Sequence, residues 1–375
     1  MSYRTKAVAA AMLSLASFVP MSFASAADLP AYKVKAKPVP DLPFFLVIDD
    51  RVTFSYIGTG TDPGVFSAKP GNTGWNGNTA KSVYSFTHFD VWAYGTNFFS
   101  INMFKSDHND PSAPCINAGV VPSGNPAFCS GATEFFGLLR STYGWNEIFN
   151  TKMFSQGPLH NISFEIGAEG EAENNYLAPN KRAFEAGLQF AFDLPYKGYF
   201  NVAPLAYKEL NHNAFNQCGS LTVAAGAIPG ATCSIDGETN FKTTWAVEIN
   251  YYMDLGFLPE SVNYFAISGR AGFYGPKGDA NGLPLNSGVG VASTATKTEI
   301  NSEPIRLTFD ASKAFWGPKY AQFVTTWVSY RYWENKFGLD HNAELGVCNA
   351  LIGGTIQSTH SCTEQSYQAG VTVKF

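Results

Sequence analysis

Six cysteines and three histidine-bearing triplets are the groups in this chain whose types and spacing could carry chemistry. Cys115 and Cys129, Cys218 and Cys233, and Cys348 and Cys362 form three local pairs whose intervals are rich in Gly, Pro, Ser and Asn. No Cys-x-x-Cys occurs, so zinc-ribbon and thioredoxin chemistry lack their spacing. The expected chemistry is oxidation to three local disulfides, each closing one loop and each contributing ~3 kcal/mol in the chain-entropy picture. Just ahead of each pair stand Asp107-His108-Asn109, Asn211-His212-Asn213 and Asp340-His341-Asn342, with a cysteine six or seven residues after each histidine. Three imidazoles could form a metal rim, but only if the loop tips folded inward to ligand distance. Asp and Asn end strands well, so turn chemistry accounts for the triplets and no metal is expected. Gly58, Gly60 and Gly64 are interrupted by Pro63 and open no helix, so they make no phosphate loop. HExxH and GxSxG are absent, and neither a catalytic residue nor a cofactor is expected.

The elements that must position these loops are strands. Twelve segments of alternating polarity are read at 51–58, 81–94, 98–107, 133–142, 159–172, 182–193, 198–210, 240–254, 262–274, 297–310, 322–337 and 364–375. In one of them Phe184, Ala186, Leu188, Phe190 and Phe192 oppose Glu185, Gly187, Gln189 and Asp193. A period of two is the strand signature. Pro304 interrupts the 297–310 segment. Short connections alternate with long ones, and all three cysteine pairs fall in long ones. That asymmetry predicts an all-β chain folded as a transmembrane antiparallel β-barrel, with short periplasmic turns and long extracellular loops. An even strand number puts both termini on the short-turn side. Aromatics gather there, among them Trp92, Tyr94, Tyr196, Tyr199, Tyr251, Tyr252, Trp316 and Tyr320, as expected of a girdle at a membrane boundary.

In hydrocarbon a closed barrel pairs every backbone polar group internally, so its outer face must be apolar and its inner face is free to be polar. The pore-lining candidates are His88, Asp90, Arg140, Glu165, Glu169, Glu185, Gln189, Lys242, Glu248, Arg270, Arg306, Trp327 and Arg331. They mix both signs of charge, which suits a neutral polar solute better than a single-sign filter would.

Composition sets the outer limits. The chain has 375 residues, 45% apolar and only 15% charged, which excludes an intrinsically disordered polymer. No apolar run long enough for a helical span occurs after residue 26. Residues 1–26 read as a secretory signal, with Arg4 and Lys6 ahead of an apolar stretch and Ala24-Ser25-Ala26 as the cleavage site. Removing them takes the net charge from −5 to −7, and nucleic acid is not an expected partner of so acidic a chain. Residues 27–49, rich in Pro and Lys, are expected to be an extended periplasmic leader, leaving residues 50–375 for the barrel.

Two stretches carry a resemblance. The strand–turn–strand THFDVWAYGTNFFSINMFKSD at 87–107 and VSYRYWENKFG at 328–338 are similar to the nucleoside-specific (Tsx-type) outer-membrane channel family. Ala27-Asp28-Leu29-Pro30 resembles the openings of alphaproteobacterial outer-membrane proteins. Phe375, closing an alternating strand, resembles the signal read by the barrel assembly machinery. The resemblance implies a twelve-stranded barrel for passive diffusion of small polar solutes, nucleosides first, surrounded by outer-membrane lipid and lipopolysaccharide after Sec-type export. A general porin, or an adhesin displaying disulfide-closed loops, are the alternatives.

Overall fold

The computed structural model describes residues 44–375 apart from 70, 72, 109, 112–130, 175–179, 213–216, 219–227, 230–232, 279–294 and 344–345. The stretch expected to be a signal, most of the expected leader, and Cys115 with Cys129 lie outside the described residues.

Twelve long strands form one closed antiparallel sheet: β1 (Phe45–Thr61), β2 (Asn78–Trp92), β3 (Gly95–Ser106), β4 (Thr133–Gly144), β5 (Leu159–Glu173), β6 (Asn180–Leu194), β7 (Gly198–His212), β8 (Thr244–Asp254), β9 (Phe265–Tyr274), β10 (Glu299–Asp310), β11 (Val324–Glu334) and β12 (Glu364–Lys374). Each pairs with its neighbours in sequence, and β12 closes the ring against β1, from Arg51 opposite Lys374 to Ile57 opposite Gln368. A short strand, Glu238–Asn240, extends the edge of β7. All twelve expected segments are strands of this barrel. The first begins at Phe45, inside the stretch expected to be leader. Its opening, Phe45 to Ile48, is an unbroken apolar run, so no alternation marks it. Two one-turn helices, α1 (Trp145–Ile148) and α2 (Ala311–Trp316), sit in the connections at the short-turn end. No helix among the described residues is long and apolar enough to cross a membrane.

The alternation sorts side chains onto two faces. Val52, Phe54 and Tyr56 of β1, Tyr84 of β2, Ile101 of β3, Phe135 and Leu139 of β4, and Val328 of β11 are exposed on the outer face. Ser55, Ser163, Glu165, Glu185, Ser329 and Gln368 are buried on the inner one. This polarity is the inverse of a water-soluble sandwich, which hides its apolar face. At roughly 25 cal/mol per Å² of apolar surface, the outer wall is strongly unfavourable in water. At the short-turn end Trp92 packs edge-on against Tyr94 and Tyr143, Tyr196 against Phe257, and Trp316 against Tyr320.

One irregularity shapes the interior. Pro304 has no N–H for the ladder, and the register slips between Ser302 and Ile305 against β11 and between Ser268 and Arg270 against β9. The bulge puts both Glu303 and Arg306 on the inner face, where they pair at 2.6 Å. Gly269 permits the close approach of Pro304, since a Cβ there would lie 2.5 Å from the proline carbonyl oxygen.

The β1–β2 and β11–β12 connections flank the seam where the chain's first and last strands meet. They share a small core of Val65, Leu339 and Val347 with the Cys348–Cys362 disulfide, whose Cα atoms are 5.3 Å apart. A second cluster joins Phe66 and Trp75 to Ala350 and Ile352. Lys336 donates to the Thr61 carbonyl and lies 3.2 Å from Glu364, which fastens β1 to β12 at this end. Cys218 and Cys233 form a second of the three expected bridges, with Cα atoms 5.1 Å apart. Replacing Cys348 and Cys362 by serine is expected to cost ~3 kcal/mol. Chemical unfolding in detergent micelles checks this, and an unshifted midpoint would mean that the loop core holds without the covalent link.

Candidate functional site

The lumen is crossed by Arg140. It projects inward from β4, where its strand neighbours are Phe98 on β3 and Gly167 on β5. Gly167 makes the room, because a Cβ there would sit 2.8 Å from the Arg140 Nη1 and 2.4 Å from a Glu185 oxygen. The guanidinium donates from Nε at 3.0 Å and from Nη2 at 2.8 Å to the two oxygens of Glu248 on β8. It also donates to Glu169 on β5 at 2.8 Å and contacts Glu185 on β6, with Glu165 on β5 4.0 Å away. Strands β4 and β8 are four positions apart on the ring, so the Arg140–Glu248 fork is a chord through the barrel rather than a neighbour contact. Glu248 accepts a further hydrogen bond from the Tyr274 hydroxyl at 2.8 Å, and Gln189 donates to Glu165 at 2.8 Å. One cation therefore serves four carboxylates, and bidentate geometry makes its bond to Glu248 both strong and directional. Oxygens of Glu169, Glu185 and Glu248 lie within 4.8 Å of one another, but Arg140 already supplies positive charge there.

A second charged layer fills the lumen nearer the long loops. Lys181 on β6 binds Glu169 at 3.1 Å and stands 5.8 Å from the ring centres of both Tyr207 and Tyr274. Lys277, just after β9, contacts Glu209, which also accepts from Tyr207 at 2.8 Å and from Asn211 at 2.6 Å. Trp333 on β11 donates its indole N–H to Glu299 at 2.8 Å. These groups are nearly all buried, and each buried charge has a partner of opposite sign, as burial requires.

The wall formed by β9, β10 and β11 is basic. Arg270, Arg306 and Arg331 come from three adjacent strands. Arg306 lies 3.9 Å over the Trp327 ring and Arg331 lies 4.6 Å over Trp333. Arg331 is also 3.5 Å from Glu364. Arg270 shares the inner face with Ala266, Ser268 and Tyr274 and is solvent-exposed there, so water reaches it inside the wall. At the short-turn mouth Arg51 grips Asp49 through two bonds of 2.5 and 3.0 Å, and Lys374 joins Asp49 at 2.6 Å. Gln322 bridges from Arg51 at 3.4 Å to the Tyr252 hydroxyl at 3.3 Å.

Of the thirteen pore-lining candidates, Arg140, Glu165, Glu169, Glu185, Gln189, Glu248, Arg270, Arg306, Trp327 and Arg331 lie on the inner face, and two assemblies gather most of them. Three do not lie there. Counting along β2 from Ser85, which meets Asn102 at 2.6 Å on the inner face, His88 and Asp90 fall on the outer face with Tyr84 and Phe86. Their polarity is met sideways. His88 binds Asp50 on β1 at 2.6 Å and Asp90 at 3.2 Å, and Asn97 on β3 links Asp90 to Ser141 on β4. Lys242 is exposed in the long β7–β8 connection, before β8 begins. Lys181, Glu209, Glu299 and Glu303 were not singled out by sequence, although Lys181 shares the parity of Glu185 and Gln189.

The histidine triplets do not converge among the described residues. His341 bonds Asn335 at 2.7 Å, His212 is 3.8 Å from Glu238, and His108 is exposed. His341 and His360 line a polar cleft of about 480 Å³ at the long-loop rim with Tyr332, Glu334, Ser358 and Gln365.

No family model matches the chain, and no curated protein matches it. Among solved structures, it is similar to the COG4313 outer membrane channel from Pseudomonas putida F1, with 9% identity and a TM-score of 0.42 over 91% of this chain and 100% of that one. It is also similar to a deletion mutant of TodX, a monoaromatic hydrocarbon channel, with 8% identity and a TM-score of 0.37 over 89% and 91%. A third is the translocator domain of the autotransporter NalP from Neisseria meningitidis, with 10% identity and a TM-score of 0.36 over 87% and 88%.

Proposed function

We propose that this chain is an outer-membrane channel for passive diffusion of small polar solutes, with nucleosides the first candidates. The observation that carries the reading is the polarity of a closed wall: exposed apolar side chains outside, and charged groups inside with Arg270 reached by water. A closed barrel is one of two backbone arrangements that satisfy every N–H and C=O in hydrocarbon. The long disulfide-bearing loops then face outward from the cell, the termini face the periplasm, and lipid and lipopolysaccharide surround the apolar belt. Sec-type export of residues 1–26 and recognition of Phe375 by the assembly machinery belong to the same reading. Nucleosides are the first candidates because the lumen carries both signs of charge, which suits a neutral polar solute, and because they match the resemblance carried by residues 87–107 and 328–338.

Liposome swelling with nucleosides, sugars and amino acids of similar mass tests the proposal. Faster entry of nucleosides is expected. Equal rates for all would make the chain a general porin, and no swelling with any solute would remove transport altogether.

A second reading, surface display, is favoured by the hairpin Asn349–Ile352/Thr355–Ser358, where cross-strand partners Leu351 and Ile356 are 62% and 63% exposed. Cutting back this hairpin would then abolish binding to a partner surface and leave permeation intact.

A further inference from the structure

Glu134 on β4 and Glu173 on β5 are direct cross-strand partners at the long-loop end. Both lie on the inner face and each is 8% exposed. Asp62, just beyond β1, brings a third carboxylate, and one oxygen from each of the three lies within 4.8 Å of the others. Like charges directly opposite on an antiparallel pair destabilise it. Lys81 on β2 compensates part of this, with Nζ 2.8 Å from Asp62 and in contact with Glu134. Lys81 reaches Glu173 only through space, without a contact. The Glu173 side chain has no hydrogen bond and no ion pair among the described residues, and its Oε1 is sealed from solvent. Fully buried Asp110 adds a further negative charge to the field at Glu173. Three carboxylates against one ammonium leave two formal negative charges in a buried pocket, an arrangement that needs a counter-charge.

The geometry points to a binding site for a hard divalent cation, calcium by preference, formed by Asp62, Glu134 and Glu173. The donors are all carboxylate oxygens, the set that hard cations take. Oxygens within 4.8 Å of one another can share one ion. A cage of three protein carboxylates suits Ca²⁺, which takes about six to eight oxygens in flexible geometry, better than Mg²⁺, which keeps several waters and takes one or two carboxylates. The ion would sit beside Lys81 and complete the neutralisation that the lysine begins. It would also join the β1–β2 connection to the β4–β5 wall from inside, staples that the backbone ladder does not provide.

Calorimetric titration of CaCl₂ into the folded full chain in detergent micelles, after stripping with EDTA, tests the site. One calcium is expected to bind, with MgCl₂ weaker. Glu173→Gln and Asp62→Asn should each weaken binding by about tenfold or more, the loss typical of disturbing a metal's supporting groups. Glu260→Gln, at an exposed position in a short turn, should bind calcium as the unaltered chain does. Folding of each variant is checked by the heat-dependent gel shift, and the two variants are read separately so that either one alone decides. Absence of binding to the unaltered chain, or an affinity of either folded variant equal to it, would overturn the site and leave Glu173 as a carboxyl that carries its own proton.

Discussion

Replacing Arg140 by methionine is expected to raise single-channel conductance several-fold and to destabilise the barrel. The guanidinium reaches from β4 to Glu248 on β8, and methionine removes that chord while keeping the volume near the wall. Glu169, Glu185 and Glu248 then lose the cation that held them together. Removing one partner of a buried ion pair costs ~3–5 kcal/mol, because the charge left behind is uncompensated. Pairing Arg140→Met with Glu248→Gln should recover part of the stability and keep the wider lumen, with a coupling energy of about 0.5–3 kcal/mol in a double-mutant cycle. Planar-bilayer recordings and unfolding in micelles report the two effects separately. Conductance equal to that of the unaltered chain would show that Arg140 does not lie in the permeation path.

The second large effect is expected at Arg270. Its neighbours Arg306 and Arg331 are each covered by an indole face and held near a carboxylate, whereas Arg270 is exposed within the wall. A charge that water reaches acts on passing ions more than one already neutralised at contact. Arg270→Glu should move the zero-current potential in a salt gradient toward cations, by more than the same change at Arg306. An unmoved potential would place the ion path away from β9. The shift should shrink as ionic strength rises and the screening length shortens.

The strands were legible because their period is local. Each strand shows its alternation within about ten residues, and the long loops announce themselves by glycine, proline and cysteine. Two boundaries were missed, since Lys242 precedes β8 and β1 opens at Phe45, and at one strand the phase failed. Along β2 the series Tyr84, Phe86, His88, Asp90 mixes apolar and polar side chains on one face, and polarity alone assigned the last two to the lumen. Asp50, Asn97 and Ser141 supply their partners from three other strands, which no single segment discloses. The Pro304 bulge is a related case. The proline was visible, but its consequence, Glu303 and Arg306 sharing one face, depends on the ladder of two adjacent strands. The Arg140–Glu248 fork joins residues 108 apart in sequence, and its existence follows from ring closure and strand tilt rather than from any pattern near either residue.

The clasp beside the β12–β1 seam bears on time rather than on architecture. Pairing of the first and last strands is the step that turns an open ribbon into a ring, and reopening must reverse it. Lys336, Thr61 and Glu364 hold the seam at one end, and the loops that hold Lys336 in place are cross-linked by Cys348–Cys362. Opening at that end also has to release loops joined by a covalent bond outside the wall, so a reducing milieu is expected to shorten the lifetime of the closed ring without touching a single ladder hydrogen bond.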